Sequence, residues 1–172
     1  GGFIDIAQNA RKVVFCGTLA AKGVKLAAIC SRDDKKLAGD WRDIKGNFGP
    51  PGEQVDLKGV GAYSEYKQLL ADPDIDLVDL CLPPHLHLSA TLEALAAGKH
   101  VFVEKPHGID PYGIKQLQQA CDLARTKKLS IVSGLHSRYH EGYAETVQRI
   151  HDGEIGEVIA IEENFLRAPY GI

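Results

Sequence analysis

Residues 77–106 read LVDLCLPPHLHLSATLEALAAGKHVFVEKP. Two apolar runs, Leu77 to Leu82 and His100 to Glu104, flank a segment from about Leu88 to Ala97 that stops at Gly98, a residue suited to the left-handed turn that closes a helix. A strand, a helix and a second strand in ~30 residues make a parallel crossover unit. Strands this apolar belong to a sheet buried on both faces.

The same pattern extends outward in both directions. Val24 to Cys30 (VKLAAIC) and Leu129 to Gly134 are further buried-strand runs, with a shorter candidate at Val60 to Tyr63. Helices are expected from about Ser64 to Ala71 and from Asp110-Pro111, an acceptor cap followed by Pro at the first helical position, to about Lys127. The alternation predicts an α/β chain with a doubly wound parallel sheet. Before Val24, the residues Phe3, Ile6, Ala10, Val13, Cys16 and Ala20 recur at three or four, so a helix is expected there, opening at Gly1-Gly2 and closed by Gly23. A strand at Val13 to Cys16 is the weaker reading, because a parallel crossover to Val24 needs about a dozen residues. The helical reading leaves the first strand outside this sequence, and a sheet lacking it exposes two edges.

Past Gly134 the pattern changes. Glu141 to Asp152 reads as an amphipathic helix with Tyr143, Val147 and Ile150 on one face and Gly153 as its stop, and Glu157 to Phe165 as a half-buried strand. Two domains are therefore expected: 1–134, nucleotide-binding and missing its first strand, and 135–172, the beginning of an α+β domain with an antiparallel sheet. The stretch from Gly39 to Gly61 is long for a connection; a cover for the site, a subunit contact and a plain insertion are all open.

Composition narrows the function. The 172 residues carry 20 Lys+Arg against 23 Asp+Glu, a net charge of −3, with no block of like charge to attract nucleic acid or anionic lipid. No apolar run nears the ~18 residues of a membrane span, and no signal-peptide pattern opens the chain, so a soluble, cytoplasmic protein is expected. Cys16, Cys30, Cys81 and Cys121 are widely spaced and read as reduced, buried thiols. In an open parallel sheet, ligands bind beyond the carboxyl ends of the strands. Those ends present Ser31 and Arg32; then Pro83, Pro84, His85 and His87; then Glu104, Lys105 and Pro106. His85 and His87, two apart, would share a face on an extended segment and form a metal pair, but the pattern places no third ligand. His107 and His136 are candidate neighbours of the site; His100, His140 and His151 read as surface or packing residues.

CLPPHLH, ALAAGKHVFVEKP and GLHSRYHEGYAETVQRIHDGEIGEV together resemble the Gfo/Idh/MocA family of NAD(P)-dependent sugar and polyol oxidoreductases. The resemblance covers essentially the whole chain and implies a Rossmann domain followed by an antiparallel α+β substrate domain. It implies hydride transfer between a nicotinamide and a secondary hydroxyl or ketone of a sugar or polyol, in a homo-oligomer when full length. Lys105, the family's EKP lysine, would contact the reacting oxygen; a desolvated lysine can donate to it or take its proton. Glu104 would lie near the nicotinamide ribose, and Pro106 would follow a cis peptide. Leu82, Pro83 and His87 fall in the loop that packs against the cofactor, where Pro84 replaces the more usual Asn. Gly2, Phe3 and Ile4 would be the tail of the phosphate loop at a helix N-terminus.

Ser31-Arg32 points to NADP, since Arg accommodates the extra phosphate where NAD folds place an acid, while Asp33 keeps NAD open. Arg138 and Tyr139 follow the last strand and are candidates to face substrate, with a helix-start salt bridge the alternative for Arg138. Two rival functions stay open: a regulatory protein that binds dinucleotide and sugar without turnover, and a glycosidase of the same family that uses NAD transiently.

Overall fold

The structure is a computed structural model that describes residues 25–43, 52–135, 138 and 140–164 in full and the backbone of residues 2–7. Its elements are β1 (Gly2–Ala7), β2 (Lys25–Cys30), α1 (Asp34–Leu37), β3 (Gly61–Tyr63), α2 (Tyr66–Leu70), β4 (Leu77–Cys81), α3 (Pro84–Ala96), β5 (His100–Glu104), α4 (Pro111–Thr126), β6 (Ile131–Gly134) and α5 (Glu141–His151). The strands form one parallel sheet in the order β3-β2-β1-β4-β5-β6. The order reverses between β1 and β4, and a Rossmann sheet binds its ligand above that switch point.

The unit that decides the fold forms, with its helix beginning at Pro84 rather than at the expected Leu88. Pro84 stands at the first helical position of α3, where its missing N–H costs nothing, and Gly98 (φ 77°) turns the chain toward β5. The Asp110 carboxylate accepts a hydrogen bond from the Gly113 amide at 2.7 Å and so caps α4. Lys99 joins the two ends of the crossover: its buried Nζ donates to the carbonyls of Asp72 (2.6 Å) and Ile75 (2.7 Å) ahead of β4. The main core lies on one face of the sheet, where Val78, Leu80, Val101 and Val103 meet Leu69, Ala90, Ala94, Leu95, Ala120 and Ala124 of α2, α3 and α4. At ~1.5–3 kcal/mol for each large aliphatic side chain buried, this face supplies most of the driving force for docking the helices.

Residues 2–7 correct the expected N-terminal helix. Gly2–Ala7 is a strand, paired in parallel with β2 on one side and β4 on the other, so the first strand is present and the two exposed edges do not arise. Phe3, Ile4 and Ile6 suit a strand as well as a helix over so short a segment. The slot between β2 and β4 decides the matter, because pairing there satisfies backbone groups that would otherwise be orphaned in the sheet interior. Residues 8–24 exceed the dozen or so that a parallel crossover needs. The rest of the expected helix, the alternative strand at Val13 to Cys16, and Cys16 itself lie outside the described residues.

Part of the long connection is packing. Val55, Leu57 and Val60 cover Leu26 and Ile29 of β2. Asp40 bridges to Gln54, and a Cβ at Gly39 (φ 76°) would collide with the Val55 carbonyl. Trp41 is buried there with the Lys36 ammonium 5.9 Å from its ring centroid.

Residues 1–134 form one compact unit and 135–172 a second. In the second, α5 is followed by Gly153 (φ 84°), as its stop signal requires. The expected strand at Glu157 to Phe165 does not form over the described residues 157–164, which run without regular structure. Ile159 (91% exposed) and Ile161 (87%) show the reason, since an alternating segment becomes a strand only against a neighbour, and none of the described residues pairs with it.

Candidate functional site

The carboxyl ends of β2 and β3 are tied together by the Ser31 amide donating to the Tyr63 carbonyl at 3.0 Å. Beyond them opens a cleft of about 260 Å³ whose walls include Cys30, Ser31, Arg32, Ser64, Glu65, Leu82, Leu86 and Ser89. Drug-sized ligands occupy ~300–1,000 Å³, so this cleft suits one nucleoside half of a dinucleotide. Its chemistry fits that half, with apolar walls for a base, hydroxyls for a ribose, and one guanidinium. The Ser31 hydroxyl is buried and accepts from the Asp33 amide at 3.1 Å. The Asp33 carboxylate in turn caps α1 by accepting from the Lys35 amide at 3.0 Å. Asp33 is thus engaged in its own helix, and the acid that lines the cleft is Glu65. The Cys30 thiol is pushed up to about 11, first by burial and then by the charge of Glu65, so it stays protonated and is no nucleophile.

Lys105 and Pro106 stand exposed at the end of β5, joined by a cis peptide bond. Because Lys105 is exposed, the described residues do not supply the desolvation expected for it. His87 is 1% exposed, and its Nδ1 lies 2.6 Å from the Pro106 carbonyl oxygen. A carbonyl only accepts, so Nδ1 carries the proton and the imidazole anchors the turn that presents Lys105. The expected strand-end turn at Pro83 to His87 is instead the start of α3, which begins at Pro84 and turns the His87 ring inward while His85 stays exposed. The HxH metal pair fails for the same reason, and no group of three or more ligating side chains occurs among the described residues.

Glu104 is half-buried against Gly134, where a Cβ would come within 2.6 Å of its carboxyl carbon. His107 Nε2 lies 2.6 Å from the Ser133 hydroxyl, linking the segment after β5 to β6. Asp79, on the same sheet face, is 1% exposed and pushed up to about 7 by burial, with the charge of Glu104 adding and a long hydrogen bond from the Cys81 thiol opposing.

Leu82 lines the cleft, and Pro83 immediately precedes α3. Gly2, Phe3 and Ile4 are not brought to the site. They begin β1, with Gly2 beside Lys25 and Phe3 beside Leu26 and Leu77, so they lie toward the opposite edge of the sheet; the crevice end of β1 is Ala7, beside Cys81. Arg138 belongs to the second unit, while Tyr139 and His136 lie outside the described residues. Ser64, Glu65 and Ser89 escaped the sequence reading because a loop and a helix start carry no periodicity. Strand register could have found Glu65, which stands as far beyond β3 as Arg32 stands beyond β2.

The profile of the Gfo/Idh/MocA oxidoreductases, described by their NAD-binding Rossmann fold, matches residues 11–133. The chain belongs to this family. Among Gfo/Idh/MocA proteins, it is 34% identical over 166 residues to an uncharacterized oxidoreductase of Rhizobium meliloti (ORF334), a match covering 95% of this chain and 44% of the relative. It is 33% identical over 135 residues to the D-xylose 1-dehydrogenase (NADP+) of Hypocrea jecorina, covering 78% of this chain and 31% of that protein. The scyllo-inositol dehydrogenase of Lactobacillus casei, solved with NAD(H) and scyllo-inositol bound, superposes with a TM-score of 0.71 at 25% identity, over 91% of this chain and 42% of that one. The chain spans less than half the length of these Gfo/Idh/MocA relatives.

Proposed function

We propose that the protein is an NAD(P)-dependent oxidoreductase acting on a secondary hydroxyl or ketone of a sugar or polyol, with residues 135–172 the beginning of its substrate domain. The observation that carries this reading is the placement of Lys105, exposed at the end of β5 on the same sheet edge as the nucleoside-sized cleft at the ends of β2 and β3. Relatives that act on D-xylose and on scyllo-inositol support the substrate class. When bound, the nicotinamide supplies the hydride acceptor or donor. Lys105 Nζ then hydrogen-bonds the reacting oxygen: as the neutral amine it takes the alcohol's proton during oxidation and becomes the ammonium, and as the ammonium it returns that proton on reduction. His87 and the Pro106 carbonyl fix the turn that carries the Lys105 side chain, and Glu104 precedes it at the strand end. Arg32 supports a preference for NADP, with NAD admitted as well. One relative is named for NADP+, and another was solved with NAD(H).

Absorbance of NAD(P)H across a sugar and polyol panel tests this reading. Lys105→Ala is expected to lower kcat by ~10²–10⁴-fold, the usual worth of a general acid or base, with cofactor affinity nearly unchanged. Full turnover by that variant contradicts the assignment. Saturable cofactor binding with no absorbance change for any substrate would favour a binding protein instead.

A further inference from the structure

Folds that prefer NAD place an acid at the end of the second strand to hold the ribose 2′-hydroxyl, and those that prefer NADP replace it with a cation for the 2′-phosphate. Here the strand-end position is held by Ser31 and Arg32, and the nearest acid in sequence, Asp33, is committed to capping α1. The cleft nevertheless has a carboxylate. β2 and β3 run in parallel with Cys30 opposite Tyr63, and continuing that register two residues sets Glu65 across from Arg32. Both line the same 260 Å³ cavity. Glu65 precedes α2 at the N-cap position without making a side-chain cap bond, and among the described residues its carboxylate has no hydrogen-bond or ion-pair partner. Its influence reaches the cavity floor, where its charge helps to hold the Cys30 thiol protonated.

We propose that Glu65 is a cofactor-discriminating residue: its carboxylate accepts from the 2′-hydroxyl of NAD(H) and repels the 2′-phosphate of NADP(H), opposing Arg32 across the cleft. The inference rests on the dinucleotide reading above and goes beyond it by assigning the acid to the neighbouring strand. A bipolar cleft admits both cofactors, and the ratio of their affinities follows the balance of the two charges.

The test is fluorescence titration of the protein with NADH and NADPH in parallel, for the wild type and for Glu65→Gln, Glu65→Asp and Arg32→Gln. Removing one charge ~6 Å from a dianion at solvent-like dielectric changes its affinity by about tenfold. Glu65→Gln is therefore expected to raise the NADPH-to-NADH affinity ratio about tenfold, and Arg32→Gln to lower it about as much. Glu65→Asp keeps the charge and is expected to hold the ratio near wild type. The Glu65→Gln effect is expected to shrink at high salt, where such charges are screened. An unchanged ratio in Glu65→Gln, or equal losses for both cofactors, overturns the proposal while leaving dinucleotide binding intact. A folded wild-type protein that binds neither cofactor overturns the dinucleotide reading itself, and this proposal with it.

Discussion

At the scale of single residues, the nucleotide-binding unit buries groups that are costly to take out of water, His87, Lys99 and Asp79 among them. Asp79 is the clearest case, since burial pushes its carboxyl from 3.8 to about 7. The protonated form is favoured in the folded protein, so this group's contribution to stability is complete below pH 4 and is lost as pH rises toward 7 and beyond. At ~1.4 kcal/mol per pKa unit, the effect is on the order of a few kcal/mol. Thermal melts between pH 5 and pH 8 should show stability falling across that window in the wild type and a markedly flatter profile in Asp79→Asn. Parallel profiles would show that Asp79 does not titrate there. Lys105 and Arg32 stand just beyond the ends of β5 and β2, where the sequence pattern places them. The inward turn of the His87 ring was not legible, because a Pro-x-x-His pattern does not reveal which side of the coming helix the ring will face. Glu65 was passed over, since it looks like any surface acid until strand register sets it across from Arg32.

At the scale of elements, strong local signals governed what was legible. The strands β4 and β5, the end of α3 and both ends of α4 could be read almost to the residue, since Gly98 and the Asp110-Pro111 pair fix boundaries by backbone chemistry, whereas α3 begins at Pro84, ahead of the expected Leu88. Asp110→Ala removes the α4 cap and is expected to cost about 1 kcal/mol, measured by urea unfolding; no change would mean that the Gly113 amide finds another acceptor. Two further elements were misread because their conformation depends on a partner. GFIDIA supports either periodicity over six residues and becomes a strand through pairing with β2 and β4. The segment after Gly156 alternates like a strand but has no neighbour among the described residues, and stays irregular. Propensity is a weak prior where tertiary pairing is the deciding term.

At the scale of the whole molecule, the six-stranded parallel sheet gathers strand ends from across the chain onto one edge, with Arg32 and Glu65 at one end of the order and Lys105 at the other. The proposed dinucleotide would place its nucleoside in the cleft and its reactive ring toward β5, and no helix among the described residues is long and apolar enough to cross a membrane. The most direct measurement is a fluorescence titration of the wild-type protein with NADH and NADPH, accompanied by circular dichroism to verify the fold. Saturable binding of both, tighter for NADPH, is the expected result. A folded protein whose signal does not saturate with either cofactor would contradict the assignment of this sheet edge to a dinucleotide.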